Sequence, residues 1–177
     1  MTDCIQFTTK VQNKFIQMPE FLYWRGRILL YNGQQDMGKK HIKQALQMDP
    51  DSVKYQKYWK NLTKQEKLKN EAAECFQRAE IDAALELYRT CLGLDTLNNE
   101  YNKAILFNMA CGLGKVGRCE EALGSLNRAI AMDKEYAKAY IKRGDILLQQ
   151  NKYDESIAEY MKVREFAPTT PGLREKV

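Results

Sequence analysis

The sequence of 177 residues contains a single histidine and none of the short motifs on which common enzyme chemistry depends. His41 stands between Lys40 and Ile42, with no cysteine or carboxylate at the spacing of a metal site. There is no G-x-x-x-x-G-K-[ST] phosphate loop, and Gly112 and Gly114 lack the third glycine of a G-x-G-x-x-G motif. We therefore predict that the protein is not an enzyme and binds no metal or cofactor.

Long apolar stretches are also missing. No run approaches the about 18 to 20 residues that a membrane helix needs, and residues 1–14 lack the basic start and apolar centre of a signal peptide. We therefore predict a protein of the cytoplasm or nucleus that makes no membrane contact. The five cysteines are odd in number and form no C-x-x-C pair, so a disulfide framework is not expected.

Positive charge is plentiful but concentrated in the first part of the chain. The net charge is +5, and residues 1–70 hold 13 Lys or Arg against 6 Asp or Glu. Six lysines fall between residues 54 and 69, the first five at intervals of three or four residues, as on one face of a helix: Lys54, Lys57, Lys60, Lys64, Lys67 and Lys69. We interpret this pattern as the solvated face of a connecting helix. RNA binding is the less favoured interpretation, because arginine is absent from the stretch.

A 34-residue pattern dominates the rest of the chain. Residues 137–170 place apolar or small residues at helical spacing on both sides of a polar segment, 149–152, which predicts two amphipathic helices joined by a turn. The same pattern returns at 103–136, 65–98 and 19–52. The starts of the four copies are separated by 34, 38 and 46 residues, which predicts a helical repeat protein.

The repeats define the predicted organisation of the chain. We expect one uninterrupted helix over residues 52–77 and a turn at 114–117. The remaining helices are predicted at 20–31, 36–47, 81–94, 102–113, 119–132, 136–149 and 153–166. The predicted divisions are an N-terminal helix at 1–18, a hairpin at 19–52, the start of the connecting helix at 53–64, a three-repeat domain at 65–170 and the start of a C-terminal helix at 171–177. Because the ends of such arrays need a polar cap, we expect the natural protein to continue beyond Val177.

The positions of the small and aromatic residues resemble the tetratricopeptide repeat (TPR). This family has a small residue at repeat position 8, Ala at 20, an aromatic at 24, Ala at 27 and Pro at 32. The last copy holds Gly144, Ser156, Tyr160, Val163 and Pro168 at these places. The resemblance implies an all-α TPR solenoid of antiparallel helical hairpins, wound as a right-handed superhelix with a long connecting helix. The first helix of each hairpin would line a groove that binds extended peptides.

Residues 65–170 further resemble TPR co-chaperones, which bind the acidic C-terminal tails of heat-shock chaperones of the 70 and 90 kDa classes. A clamp of five residues holds two carboxylates in those proteins. The corresponding positions here are Lys69, Ala73, Asn108, Lys138 and Lys142. Three match, Lys142 replaces Arg, and Ala73 leaves an Asn position vacant. The resemblance implies weakened carboxylate binding by Lys69, Asn108, Lys138 and Lys142.

The order of features after Glu20 resembles the C-terminal TPR region of J-domain proteins that carry several TPRs. It includes the strings YWRGRILLY and KAYIKRG on either side of a long charged helix. The His-Pro-Asp tripeptide of a J domain is absent, since His41 precedes Ile42. The resemblance implies a co-chaperone module with chaperone tails and unfolded client proteins as partners. A scaffold whose groove binds another peptide or client is the alternative function.

Overall fold

A computed structural model describes residues 2–173 of the chain, and within this range it contains nine α-helices and no strand. The all-α prediction is therefore confirmed. The helices are α1 Thr2–Phe15, α2 Pro19–Tyr31, α3 Gln35–Met48, α4 Val53–Gln77, α5 Ile81–Leu94, α6 Asn99–Lys115, α7 Cys119–Met132, α8 Ala137–Gln149 and α9 Tyr153–Phe166. The helix predicted to start in 171–177 falls mostly on residues 174–177, outside the described range.

Most helix bounds follow the predictions. The long helix expected at 52–77 is α4, and α5, α7 and α9 have the predicted bounds. The turn predicted at 114–117 is wrong for Gly114 and Lys115, because α6 continues through both. It ends only where Gly117 adopts a left-handed conformation with φ +77°. There the Gly117 N–H donates to the carbonyl of Gly114, and the Arg118 N–H donates to that of Leu113.

The same helix ending occurs in all four hairpins. The residue in the left-handed conformation is Gly33, Ala79, Gly117 or Asn151, and the intervals between them are 46, 38 and 34 residues. In each hairpin the N–H of the following residue donates to the carbonyl five residues back, for example from Glu80 to Cys75 at 2.9 Å. The turn geometry therefore repeats at the intervals found in the sequence.

Ala79 is the most strained of these turn residues, because its Cβ makes the left-handed conformation cost about 1–2 kcal/mol. We expect Ala79→Gly to raise the free energy of unfolding by about 1 kcal/mol, with the entropy of glycine in the unfolded chain offsetting part of the gain. Urea denaturation measures this. Ala83→Gly, at an exposed position inside α5, should instead lower stability by about 1 kcal/mol. Equal effects of the two substitutions would contradict the assignment.

The chain forms two compact units, each with its own packing. Unit 1 comprises Met1–Lys69 and Thr90–Tyr101, and unit 2 comprises Asn70–Arg89 and Asn102–Val177. The points of division lie inside α4, α5 and α6. The repeat bounds predicted from the sequence follow the helices instead, and they stay a prediction.

Unit 1 has a core built by α2, α3 and α4. Helices α2 and α3 approach closely at Gly26, where a Cβ would lie 2.8 Å from the side chain of Ile42. In α4, Tyr55 and Leu62 are buried, whereas Lys57, Lys60 and Lys64 are exposed. This agrees with the prediction that the lysines form the solvated face of a connecting helix. The buried side chains of this core are Leu22, Tyr23, Leu30, Ile42, Ala45, Tyr55 and Leu62.

The single histidine belongs to this unit's interior. His41 is buried, and its Nε2 accepts a hydrogen bond from Nε of the buried Arg25 at 3.3 Å. Burial and the cations of Arg25 and Lys40 lower the pKa of His41. The Arg25 guanidinium also donates to the hydroxyls of Thr8 and Thr9, which ties α1 to α2. His41 is therefore an interior residue that pairs with the arginine joining α1 to α2.

Unit 2 depends on two glycines that leave room for aromatic rings. A Cβ on Gly144 of α8 would lie 2.6 Å from the ring of Tyr160, and one on Gly112 of α6 would lie 2.5 Å from the ring of Phe76. The Ser156 hydroxyl donates to the carbonyl of Gly144 at 2.9 Å. The small residues thus set the helix spacing of this unit.

Candidate peptide-binding site

A cavity of about 540 Å³ lies in unit 2 among residues of α4, α5 and α6. Its volume falls in the range of about 300–1,000 Å³ that is typical of ligand pockets. Its lining combines apolar or weakly polar residues with two amide groups and one cation. The lining residues are Ala73, Phe76, Gln77, Tyr88, Asn108, Cys111, Gly112 and Lys115.

Helical spacing brings these residues to one place. Positions 73, 76 and 77 lie on one face of α4, and positions 108, 111, 112 and 115 lie on one face of α6. The Phe76 ring fills the space above Gly112 and packs on Tyr88 with the ring centroids 6.0 Å apart. Tyr88 is only 2% exposed, so its ring is fixed by its neighbours. The apolar wall is therefore preformed.

Two of the predicted clamp positions are in the cavity wall. Ala73 is exposed on α4, and Asn108 is half-buried on α6. Lys142 of α8 lies beside α6, since its Cε is 3.7 Å from the point where a Cβ on Gly114 would stand. Lys138 is exposed one turn earlier on α8. These four positions belong to unit 2.

The fifth predicted position, Lys69, is the last residue of unit 1. It is half-buried on α4, one helical turn before Ala73. Its charge helps to lower the pKa of Glu66, for which a hydrogen bond from Lys39 is the main cause.

Sequence reasoning missed six of the eight residues that line this cavity: Phe76, Gln77, Tyr88, Cys111, Gly112 and Lys115. The signal for two of them was present, because Cys111 and Lys115 follow Asn108 at spacings of three and seven residues on one helix face. Burial raises the pKa of the Cys111 thiol, and the charges of Lys142 and Lys115 act in the opposite direction. The carboxylate of Asp145 adds to the effect of burial.

Other kinds of site find little support in residues 2–173. This part of the chain holds no group of three or more His, Cys, Asp or Glu side chains placed to bind a metal ion. Among the same residues, no helix has the length and apolar character needed to cross a membrane.

Helical hairpins that repeat along the chain at these intervals are characteristic of helical repeat proteins. Two family models described as tetratricopeptide repeat match residues 107–171 and 19–52, which together make up more than half of the chain. The chain belongs to the tetratricopeptide repeat family.

Curated relatives share the sequence at moderate identity. The chain is 29% identical over 159 residues to the DnaJ homolog subfamily C member 7 homolog of Dictyostelium discoideum, covering 90% of this chain and 30% of the relative. It is 28% identical over 142 residues to DnaJ homolog subfamily C member 7 of Homo sapiens, covering 80% of this chain and 29% of the relative. The chain thus spans under a third of the length of these two relatives.

Two solved structures show the same fold. The crystal structure of the P58(IPK) TPR domain superimposes with a TM-score of 0.76 at 19% identity, covering 97% of this chain and 48% of that one. The first TPR of Spaghetti (RPAP3), bound to the HSP90 peptide SRMEEVD, superimposes with a TM-score of 0.54 at 24% identity, covering 64% of this chain and 87% of that one. Both support the TPR fold.

Proposed function

We propose that the chain is a co-chaperone module of the cytoplasm or nucleus that binds the acidic C-terminal tail of heat-shock chaperones of the 70 and 90 kDa classes. Asn108 and the three lysines Lys69, Lys138 and Lys142 bind the carboxylates. The observation that carries the proposal is that Asn108 and Lys115 line the same cavity, with the Lys142 side chain close to Gly114 on the same helix, α6. The names of the DnaJ relatives and the HSP90 peptide held by a TPR of similar fold support this choice of partner.

The chemistry of the tail fits these residues. A peptide that ends in Asp offers an α-carboxylate and a side-chain carboxylate, and both accept charge-assisted hydrogen bonds from ammonium groups and amides. Lys142 provides a point charge where arginine would provide a planar fork, so it fixes the direction of a carboxylate less strongly. Ala73 provides no donor at all. We therefore expect weak binding that relies on charge.

Calorimetry with a peptide ending in Glu-Glu-Val-Asp tests the function. We expect measurable binding by the chain, and tighter binding by Ala73→Asn, because the new amide can donate to a carboxylate. A hydrogen bond to a charged group contributes about 1.5–3 kcal/mol, so the gain is about tenfold to a hundredfold in affinity.

The matched control is Ala83→Asn, which adds the same amide at an exposed position of α5 outside the cavity. It should leave the affinity unchanged. The absence of heat at about 1 mM peptide would rule out the proposed function.

A further inference from the structure

Gln77, Asn108 and Lys115 line one part of the cavity with polar groups, but another part of the wall is unsuited to a carboxylate. Phe76, Tyr88 and Gly112 form the wall between α4, α5 and α6, with the methyl group of Ala73 beside them. A carboxylate moved against such a surface loses its water without gaining a donor, which costs free energy. An aliphatic side chain gains there, since burying its surface is favourable. The part of the site left open at Ala73 therefore selects an apolar group.

Cations also lie at this cavity. Lys115 lines it directly, and its charge and that of Lys142 both act on Cys111. Lys138 continues the positive face by one turn of α8. The cavity thus joins an apolar surface to a cationic edge. A ligand that matches it carries an apolar side chain close to carboxylates.

An extended peptide meets this requirement without using its end. Residues two apart in an extended chain project to the same side, about 6.6 Å apart. One apolar residue can thus enter the cavity while acidic residues near it reach the lysines. Lysine binds as a compact point charge, so a side-chain carboxylate is as suitable as an α-carboxylate. With an alanine at position 73, one of the two clamp amides that would direct a terminal carboxylate is missing, and only that of Asn108 remains.

We propose that this groove binds internal acidic segments of proteins that carry one aliphatic residue, and that it does not require a free C-terminus. The aliphatic side chain lies in the cavity against Phe76 and Tyr88, and the flanking carboxylates bind Lys115, Lys138 and Lys142. The inference rests on the proposed function in one respect, namely that lysines of this groove bind carboxylates.

Three synthetic peptides of equal length test the inference. The first is an acetylated acidic octapeptide with a central Leu and an amidated C-terminus, the second has the same sequence with a free carboxylate, and the third is the amidated peptide with Leu replaced by Ala. Calorimetry should give affinities within about threefold for the first two. The third should bind at least about tenfold more weakly, because the apolar burial is lost.

A variant of the protein tests the position of the aliphatic residue. Ala73→Leu places a larger side chain in the cavity from an exposed site on α4. It should lower the affinity for the Leu peptide to the affinity for the Ala peptide. Ala83→Leu, at an exposed site of α5 outside the cavity, should change nothing. Thermal melting of both variants checks that each is folded.

Protection of a thiol gives a second readout that does not depend on affinity. In a Cys4→Ser and Cys119→Ser background, Cys111 is the most accessible thiol, since Cys75 and Cys91 are buried. Saturating amidated Leu peptide should slow alkylation of Cys111, whose side chain lines the cavity. Unchanged alkylation at saturation would overturn the proposed binding mode.

The possible failures can be told apart. If only peptides with a free carboxylate bind, the inference is overturned while the proposed function stands. If the Leu and Ala peptides bind equally, the cavity is not used and the inference is again overturned. If neither these peptides nor one ending in Glu-Glu-Val-Asp binds, the proposed function fails as well.

Discussion

Reversing both lysines of α8, as Lys138→Glu with Lys142→Glu, is expected to abolish binding of an acidic tail peptide. Two attractions become two repulsions. A pair of unit charges 4 Å apart in water interacts by about 1 kcal/mol, so each reversal changes the binding energy by about 2 kcal/mol. The two together weaken binding by about a thousandfold. Calorimetry with the peptide ending in Glu-Glu-Val-Asp would then show no heat at about 1 mM.

A matched variant separates this local effect from the change in net charge. Lys134→Glu with Lys152→Glu alters the charge by the same amount, at exposed positions just before and just after α8. We expect its affinity to fall by less than about threefold, and even less at high salt, because exposed charges at a distance are screened. An equal loss in the two double variants would place the ligand outside the groove.

The sequence predicted the repeats because their geometry depends on local chemistry. Gly33 and Gly117 are visible signals for a left-handed helix ending, and the polar turn at 149–152 marked a third. Ala79 gives no such signal, yet it adopts the same conformation. The interval pattern located that hairpin where propensity alone could not, since the neighbouring helices dictate the turn.

The candidate site was only partly predictable. Repeat positions identified Asn108, Lys138 and Lys142 as surface residues of first helices, and the vacancy at Ala73 was visible in the same way. The cavity could not be predicted from the sequence, because it depends on the distance between helices that are far apart in the chain. Phe76 and Gly112 are 36 residues apart, and only their contact creates the wall against which Tyr88 packs.

Buried ionic contacts escaped sequence reasoning for the same reason. Glu159 of α9 is 7% exposed and accepts hydrogen bonds from Nε and a terminal nitrogen of Arg143 of α8, which also donates to Asn127 of α7. A sequence shows Arg143 and Glu159 as ordinary surface charges. Their pairing fixes α8 against its neighbours in unit 2, on the helix that carries Lys138 and Lys142. The two lysines that we propose as carboxylate ligands thus lie on a helix that this pair holds in place.

Tyr160 is expected to be the most important of the tested residues for the stability of that element. Its ring is 2% exposed, occupies the space left by Gly144, and packs in a cluster with Val163 and Leu173. Its hydroxyl donates to Asp145 at 2.8 Å. Tyr160→Ala should lower the free energy of unfolding by about 3–5 kcal/mol, as do other large-to-alanine changes in cores. Urea denaturation measures the loss.

Two companion variants assign the cause of this loss. Tyr160→Phe keeps the ring and removes the hydroxyl that donates to Asp145, so it should cost about 1 kcal/mol. Tyr153→Ala removes the same side chain from the same helix at a position that is 56% exposed, and should change stability by less than about 0.5 kcal/mol. A similar loss for Tyr153→Ala and Tyr160→Ala would contradict the packing described here. A much larger loss for Tyr160→Ala than for Tyr160→Phe or Tyr153→Ala means that packing of Tyr160 against Gly144 holds α9 on α8. The same packing then holds in place the helix that carries Lys138 and Lys142.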